Sequence, residues 1–137
     1  MSIEVPDGYR HWPHDPAEDH IGPFFYRPLG NGRVLTRCRV QAHHCNTWGS
    51  VHGGVLMAFA DYTLCLAAIE SEADAVVTVS ATCDFVAAAR AGEILDGEGE
   101  LTRLGGSLAF TRAVLRSGDR VVMTASGVIK RLNKPAG

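Results

Sequence analysis

Asp61 is the residue of this chain whose surroundings most need explaining. It is the only acid between Asp19 and Glu70, and it interrupts the apolar run from Gly53 to Ile69. On a helix its neighbours three and four residues away are Met57, Ala58, Leu64 and Cys65, none of which pairs with a carboxylate. A carboxylate buried without a partner is costly, so Asp61 either lies at a subunit contact or is kept for chemistry. Both readings stay open on this residue alone.

Gly53 and Gly54 open the same run. Two glycines at a helix start leave bare N–H groups that lack intrahelical partners and sit at the positive end of the dipole. Such donors stabilise an oxygen that is gaining negative charge. Close packing of helix on sheet would explain the pair equally well. Asn46 and His52 flank it. Asn46 offers a donor and an acceptor, suited to holding a water or a carbonyl. His52 can bond substrate, act as general acid or cap the helix, and capping is the reading its position favours. Asp61 lies seven residues beyond Gly54, roughly 10 Å along the axis. One helix therefore cannot bring its own first-turn amides and its own Asp61 onto one reacting group. If both act on one substrate atom, a second copy of the chain supplies one of them, at a dimer interface.

The positioning elements follow from pattern. Phe24–Leu29 and Val34–Val40 read as strands joined by Gly30-Asn31-Gly32, a tight-turn signal. Gly53–Ile69 is the one strong helix, apolar nearly all round and so buried on most sides. Ala75–Val86 alternates, placing Val77, Val79, Ala81, Cys83 and Phe85 on one face and Thr78, Ser80, Thr82 and Asp84 on the other. Glu93–Leu104 and Ser107–Leu115 meet at Gly105-Gly106, and Arg120–Leu132 follows the turn Ser117-Gly118-Asp119. The order ββαββββ predicts an α+β fold, one antiparallel sheet curled around one long helix. Residues 1–23 hold four of the six prolines and three of the six histidines, which predicts an irregular arm laid over the domain. The cluster His11, His14, Asp15 and His20 lacks metal-ligand spacing, so surface histidines are expected there and no metal.

Composition sets the outer bounds. With 137 residues, 46% hydrophobic and 20% charged, the chain fits one globular domain. A net charge of −2 argues against a basic face for nucleic acid. No apolar run is long enough to span a bilayer, and MSIEVPDGYR lacks the basic-then-apolar order of a signal peptide, so a cytoplasmic protein is expected. Cys38, Cys45, Cys65 and Cys83 form no CxxC pair and read as reduced structural thiols.

The pattern Asn46-x-x-Gly49-x-x-His52-Gly53-Gly54, followed by Asp61, resembles the hotdog-fold acyl-CoA thioesterases of the PaaI-like (phenylacetic acid degradation) branch. The likeness spans roughly residues 20 to 132, including Gly22-Pro23-Phe24 and Arg90-Ala91-Gly92-Glu93. It implies a hotdog domain over 24–132 between the arm and a tail at 133–137, with sheets joined into a homodimer and further into a homotetramer. It further implies Gly53 as the main oxyanion donor with Asn46 and His52 nearby, and Asp61 of the neighbouring chain as general base or nucleophile. Thr78 would orient the attacking water, with Ser80 a weaker candidate for that role; Gly54, Ser80 and Arg90 would contact substrate. Arg90 and Lys130-Arg131 are candidates for the CoA phosphates. No cofactor is implied, because CoA belongs to the substrate. One departure is Ala87-Ala88-Ala89, where the family usually has a proline. Alternatives are a hotdog enoyl-CoA hydratase or dehydratase, a non-catalytic acyl-CoA-binding protein and a purely structural dimerisation domain. The joint presence of Asn46, Gly53, Asp61 and Thr78 favours hydrolysis. Met57, Phe59, Tyr62 and Phe85 would suit an acyl pocket or the ordinary core.

Overall fold

The computed structural model describes residues 3–132, so the expected tail at 133–137 lies outside the described residues. Helix α1 (Pro16–Ile21) precedes strands β1 (Phe25–Gly30) and β2 (Arg33–Arg39); a single 3-10 turn (Ala42–His44) leads to α2 (Gly53–Ala67). Strands β3 (Val76–Phe85), β4 (Ile94–Gly105), β5 (Leu108–Ser117) and β6 (Arg120–Arg131) complete the fold. All strand pairs are antiparallel, in the spatial order β1-β2-β4-β5-β6-β3. This is the expected α+β architecture, one long helix against one curved sheet.

The β1–β2 turn is built by Asn31 and Gly32 with φ of 55° and 72°, the left-handed pair that a two-residue hairpin needs. The helix lies directly on the sheet where β4 carries Gly97 and Gly99. A Cβ on Gly97 would fall 2.0 Å from Thr36 Oγ1, and one on Gly99 would fall 2.9 Å from the Thr63 carbonyl. The Thr36 and Thr63 hydroxyls meet at 2.8 Å in this contact, and Thr63 Oγ1 donates to the Phe59 carbonyl. The hydroxyls are thus satisfied inside the core that Phe59, Leu64, Leu95, Leu115, Met123 and Ile129 fill.

The N-terminal arm departs from the irregular course expected of it. Pro16 occupies the first turn of α1, where a missing N–H costs nothing, and the Asp15 carboxylate accepts from Glu18 N to cap the helix. Further upstream, Arg10 exchanges both backbone hydrogen bonds with Tyr26 of β1. That bridge and Pro28 close one edge of the sheet. The other edge, β3, pairs on one side with β6 and is exposed along most of its length.

Strand β3 also departs from simple alternation. Thr78 faces Ile129 and Ser80 faces Val128, so Val79 is an extra residue, a β-bulge. Residues directly opposite share a face. Thr78 is therefore on the helix side with the buried Ile129, as are Ala81, Cys83 and Phe85 opposite Gly127, Ala125 and Met123. Ser80 and Thr82 turn to the other face.

Candidate active site

The bulge matters because it delivers Thr78 to α2. Thr78 Oγ1 donates to Asp61 Oδ1 at 2.5 Å. The carboxylate that has no partner on its own helix thus finds one on the edge strand. Cys65, one turn beyond Asp61, completes the cluster: its Sγ lies 3.2 Å from Thr78 Oγ1 and 3.8 Å from Asp61 Oδ1. Burial, with the Asp61 charge beside it, pushes the Cys65 thiol up to about 12, so it stays protonated. Thr78 has one proton and spends it on Asp61, which makes the thiol the donor in the shorter sulfur contact. Asp61 itself is half-buried.

At the start of α2, His52 is the cap that its position suggested. Its Nδ1 accepts from Gly54 N at 2.9 Å, and its carbonyl accepts from Val55 and Leu56. With Nδ1 an acceptor, the neutral ring carries its proton on Nε2. The cap consumes the Gly54 N–H. Among the described residues the Gly53 N–H has no acceptor, leaving one free donor at the positive end of the helix. The Phe85 ring lies beside Gly53, since a Cβ there would meet it at 3.2 Å.

Asn46 organises the preceding loop. Its Oδ1 accepts from Trp48 N at 2.9 Å, Ser50 N at 3.2 Å and Ser50 Oγ at 3.3 Å. Three donors fix the amide orientation, so the NH2 is the end left to face a ligand. Arg90 reaches the same loop, donating to the Trp48 carbonyl at 3.4 Å, and its backbone bridges to Ser50. His44 ties the loop to the arm: Nε2 donates to the Ile21 and Gly22 carbonyls while Nδ1 accepts from Gln41 N. Burial, with His43 beside it, lowers the His44 pKa.

Two groups therefore form. Asn46, His52, Gly53, Gly54 and Arg90 gather at the N-terminal end of α2, while Asp61 and Thr78 lie eight and more residues along, about 12 Å down the helix. Ser80 joins neither, because the bulge turns it from the helix face. Arg131 is bound at the far end of the helix by Asp74 at 3.2 Å and sits beside no member of the Gly53 group. Phe59 belongs to the core, whereas Met57 and Phe85 are exposed, at 47% and 58%. All four cysteines are free. Cys65 was not singled out from the sequence as part of the Asp61 site, although its i+4 spacing from Asp61 places it on the same helix face.

The thioesterase superfamily model matches residues 49–124, which hold the helix, the bulged strand and the two glycines. The chain belongs to the thioesterase superfamily and has its hotdog fold. A Pseudomonas aeruginosa protein described as a candidate esterase is 36% identical over 129 residues, covering 92% of this chain and 96% of its own. Among solved structures, a mutant of the phenylacetic acid degradation protein PaaI from Thermus thermophilus superposes with a TM-score of 0.76 at 26% identity, covering 86% of this chain and 100% of that one. A hypothetical thioesterase of Streptococcus pneumoniae, solved with coenzyme A, gives 0.74 at 19% identity over 82% and 88%. These likenesses support hydrolase activity. Among the described residues no helix is long and apolar enough to cross a membrane.

Proposed function

We propose that the protein is an acyl-CoA thioesterase whose active site is shared between two chains. The observation that carries this reading is the separation of the free Gly53 N–H from the Asp61–Thr78 pair on one helix. Neither group alone hydrolyses a thioester, and two copies related across the open β3 edge would bring them together. That edge offers unpaired backbone and the exposed Val77 and Val79, which suits strand-to-strand pairing of a homodimer. A homotetramer would be the further assembly. The Streptococcus relative solved with coenzyme A supports CoA as the carrier.

In this site the thioester carbonyl accepts from the Gly53 N–H of one chain, where the helix dipole favours the developing oxyanion. Asp61 of the partner subunit takes a proton from water while the water oxygen attacks the carbonyl carbon. The C–S bond then breaks, and the leaving thiolate takes up a proton as free CoA. Oδ1 of Asp61 is held by Thr78, which leaves Oδ2 and a Thr78 lone pair as two acceptors for the hydrogens of one water. That cradle favours general-base attack over a direct attack by the carboxylate. The Asn46 NH2 and the exposed Nε2–H of His52 remain as donors toward the substrate, and Arg90 lies at the rim for CoA phosphate.

The test is free-thiol release from a panel of aromatic and aliphatic acyl-CoAs by the wild type and Asp61→Asn. Hydrolysis that collapses in the variant, with the oligomer intact, supports the reading. No thiol from any member would remove it in favour of a CoA-ester binder or hydratase.

A further inference from the structure

Trp48, in the Asn46 loop, is the most exposed large hydrophobic residue among those described, at 84%. An indole left in water forgoes one of the largest burial gains a side chain offers, so its exposure calls for a reason. Holding the loop is not that reason. Both backbone polar groups of Trp48 are already used: its N–H donates to Asn46 Oδ1 at 2.9 Å, and its carbonyl accepts from Arg90 Nη1 at 3.4 Å. The loop is closed by its own backbone, Asn46 N donating to the Ser50 carbonyl at 2.8 Å and Gly49 N to the Asn46 carbonyl at 3.0 Å. Gly49, with φ of 78°, completes the turn. Trp12 packs its ring 5.9 Å from that of Tyr26, whereas Trp48 has no ring or cation partner among the described residues. Its ring is carried on a fixed loop and packs on nothing.

Arg90 is the neighbour that gives this exposure a meaning. A Cβ on Gly49 would lie 3.7 Å from Arg90 Nη1, and the Ser50–Arg90 bridge fixes the two segments against each other. Among the described residues no carboxylate pairs with Arg90, whereas Arg33, Arg37, Arg112, Arg116, Arg120 and Arg131 are all held by acids. Its charge is therefore free to meet an anion. An exposed aromatic face and an uncommitted guanidinium on one rigid rim match a nucleotide, whose base stacks on the ring and whose phosphate oxygens pair with the fork. Because the loop is ordered beforehand, little freedom is lost on binding. Both residues stand at the end of α2 where the Gly53 N–H and the Asn46 NH2 are free.

Resting on the acyl-CoA reading, we infer that Trp48 is the platform on which the adenine of CoA stacks, with the Arg90 guanidinium beside it on the phosphates. The loop that presents Asn46 to the thioester then also reads the far end of the same substrate. The ring makes the enzyme select thioesters of the nucleotide-bearing carrier over those of pantetheine alone or of an acyl carrier protein, which lack adenine. Trp48 is a specificity-determining residue in this assignment and takes no part in bond breaking. Stacking far from the reacting carbon is made equally in the ground state and the transition state, so it acts on KM and leaves kcat alone.

Thiol release from one acyl group carried on CoA, on pantetheine and on acyl carrier protein tests the assignment in the wild type, Trp48→Ala and Trp48→Phe. The wild type is expected to have its lowest KM on the CoA ester. Trp48→Ala should raise that KM about tenfold, within what base–aromatic stacking contributes, with kcat unchanged and the pantetheine ester unaffected. Trp48→Phe keeps a ring and should recover most of the loss. In Trp12→Phe, where Trp48 is the one tryptophan left, adenosine 3′,5′-bisphosphate should quench the fluorescence and pantetheine should not. An equal loss on the CoA and pantetheine esters in Trp48→Ala would assign the ring to the fold or to a subunit contact and overturn the inference. A loss confined to the carrier-protein ester would assign it to protein docking, with the same consequence. An unchanged KM throughout, or fluorescence indifferent to the nucleotide, would overturn it too, and in each of these cases the thioesterase reading stands. Absence of thiol from every ester would remove that reading, while the fluorescence titration would still decide the nucleotide site.

Discussion

Thr78 Oγ1 and Asp61 Oδ1 are joined by a 2.5 Å hydrogen bond between an edge strand and the middle of the central helix. The bond commits the only proton of Thr78, and with the Cys65 thiol donating to the same oxygen one lone pair is left to accept. Thr78→Ser preserves that arrangement, whereas Thr78→Val keeps the volume and removes the hydroxyl. The expected result is near-normal turnover for the serine variant and a fall in kcat of about 100-fold for valine, the low end of what a positioned proton-transfer group contributes. Steady-state thiol release on both variants checks it. Equal activity in Thr78→Val would show that the hydroxyl does not orient the water.

The general-base route has its own signature. In a single turnover in H2(18)O, with enzyme in excess over acyl-CoA, base-catalysed attack places the label in the released acid. Direct attack by Asp61 would form a mixed anhydride, and its opening by water at the aspartyl carbonyl would leave the label in the aspartate, which general-base attack cannot do. Mass spectrometry of the product acid and of the Asp61 peptide separates the two outcomes. Label in the product acid is expected.

Glu18 makes an opposite demand on stability. Its folded pKa is raised to about 7 from an ordinary 4.5, so between those values the folded state binds more protons than the unfolded state. Stability contributed by the protonated form is therefore complete below the unfolded pKa and is lost as pH rises through about 7. Glu18→Gln removes the ionisation. The variant should melt above the wild type at pH 8 and converge with it near pH 4.5, as thermal unfolding across that window would show.

Much of this architecture can be read in the sequence, and the exceptions have local causes. The order of strands and helix follows from alternation, turn glycines and one long apolar run, and the observed ends differ by two residues or fewer. The bulge at Val79 is invisible in the sequence because residues 77–85 alternate without a break, so nothing marks where the strand slips past Ile129. Proline density hid α1, although Asp15 followed by Pro16 is a capping signature in its own right. The role of His52 was legible from its place before two glycines. The partner of Asp61 was only partly so, since Thr78 is seventeen residues away and the bulge sets its direction.

His52 offers a sharper division between structure and chemistry. As a cap, its Nδ1 satisfies Gly54 N, and His52→Ala should cost about 1 kcal/mol, or roughly 4 °C in Tm. His52→Asn restores a capping acceptor without an imidazole and should recover most of that loss. If activity recovers along with stability, His52 transfers no proton. Should stability return while turnover stays low, the Nε2–H is needed on the substrate. Calorimetry and thiol release on the two variants give the answer, and recovered stability with turnover still low is the expected one.

The two-chain site makes the most demanding prediction. Gly53 occupies the first position of α2, where proline is well tolerated. His52, with φ −58° and ψ 136°, already has the extended conformation that a following proline requires. Gly53→Pro should therefore fold and assemble while deleting the one free N–H, lowering kcat by about 10²–10³-fold as loss of an oxyanion donor does. Asp61→Asn should be inactive for the other reason. Mixed and refolded together, the two dead variants form hybrid dimers in which one of the two sites keeps both Gly53 and Asp61. Thiol release should reappear in the mixture and not in either parent. A site contained within one chain would show no recovery at any ratio, because every chain in the mixture carries one lesion.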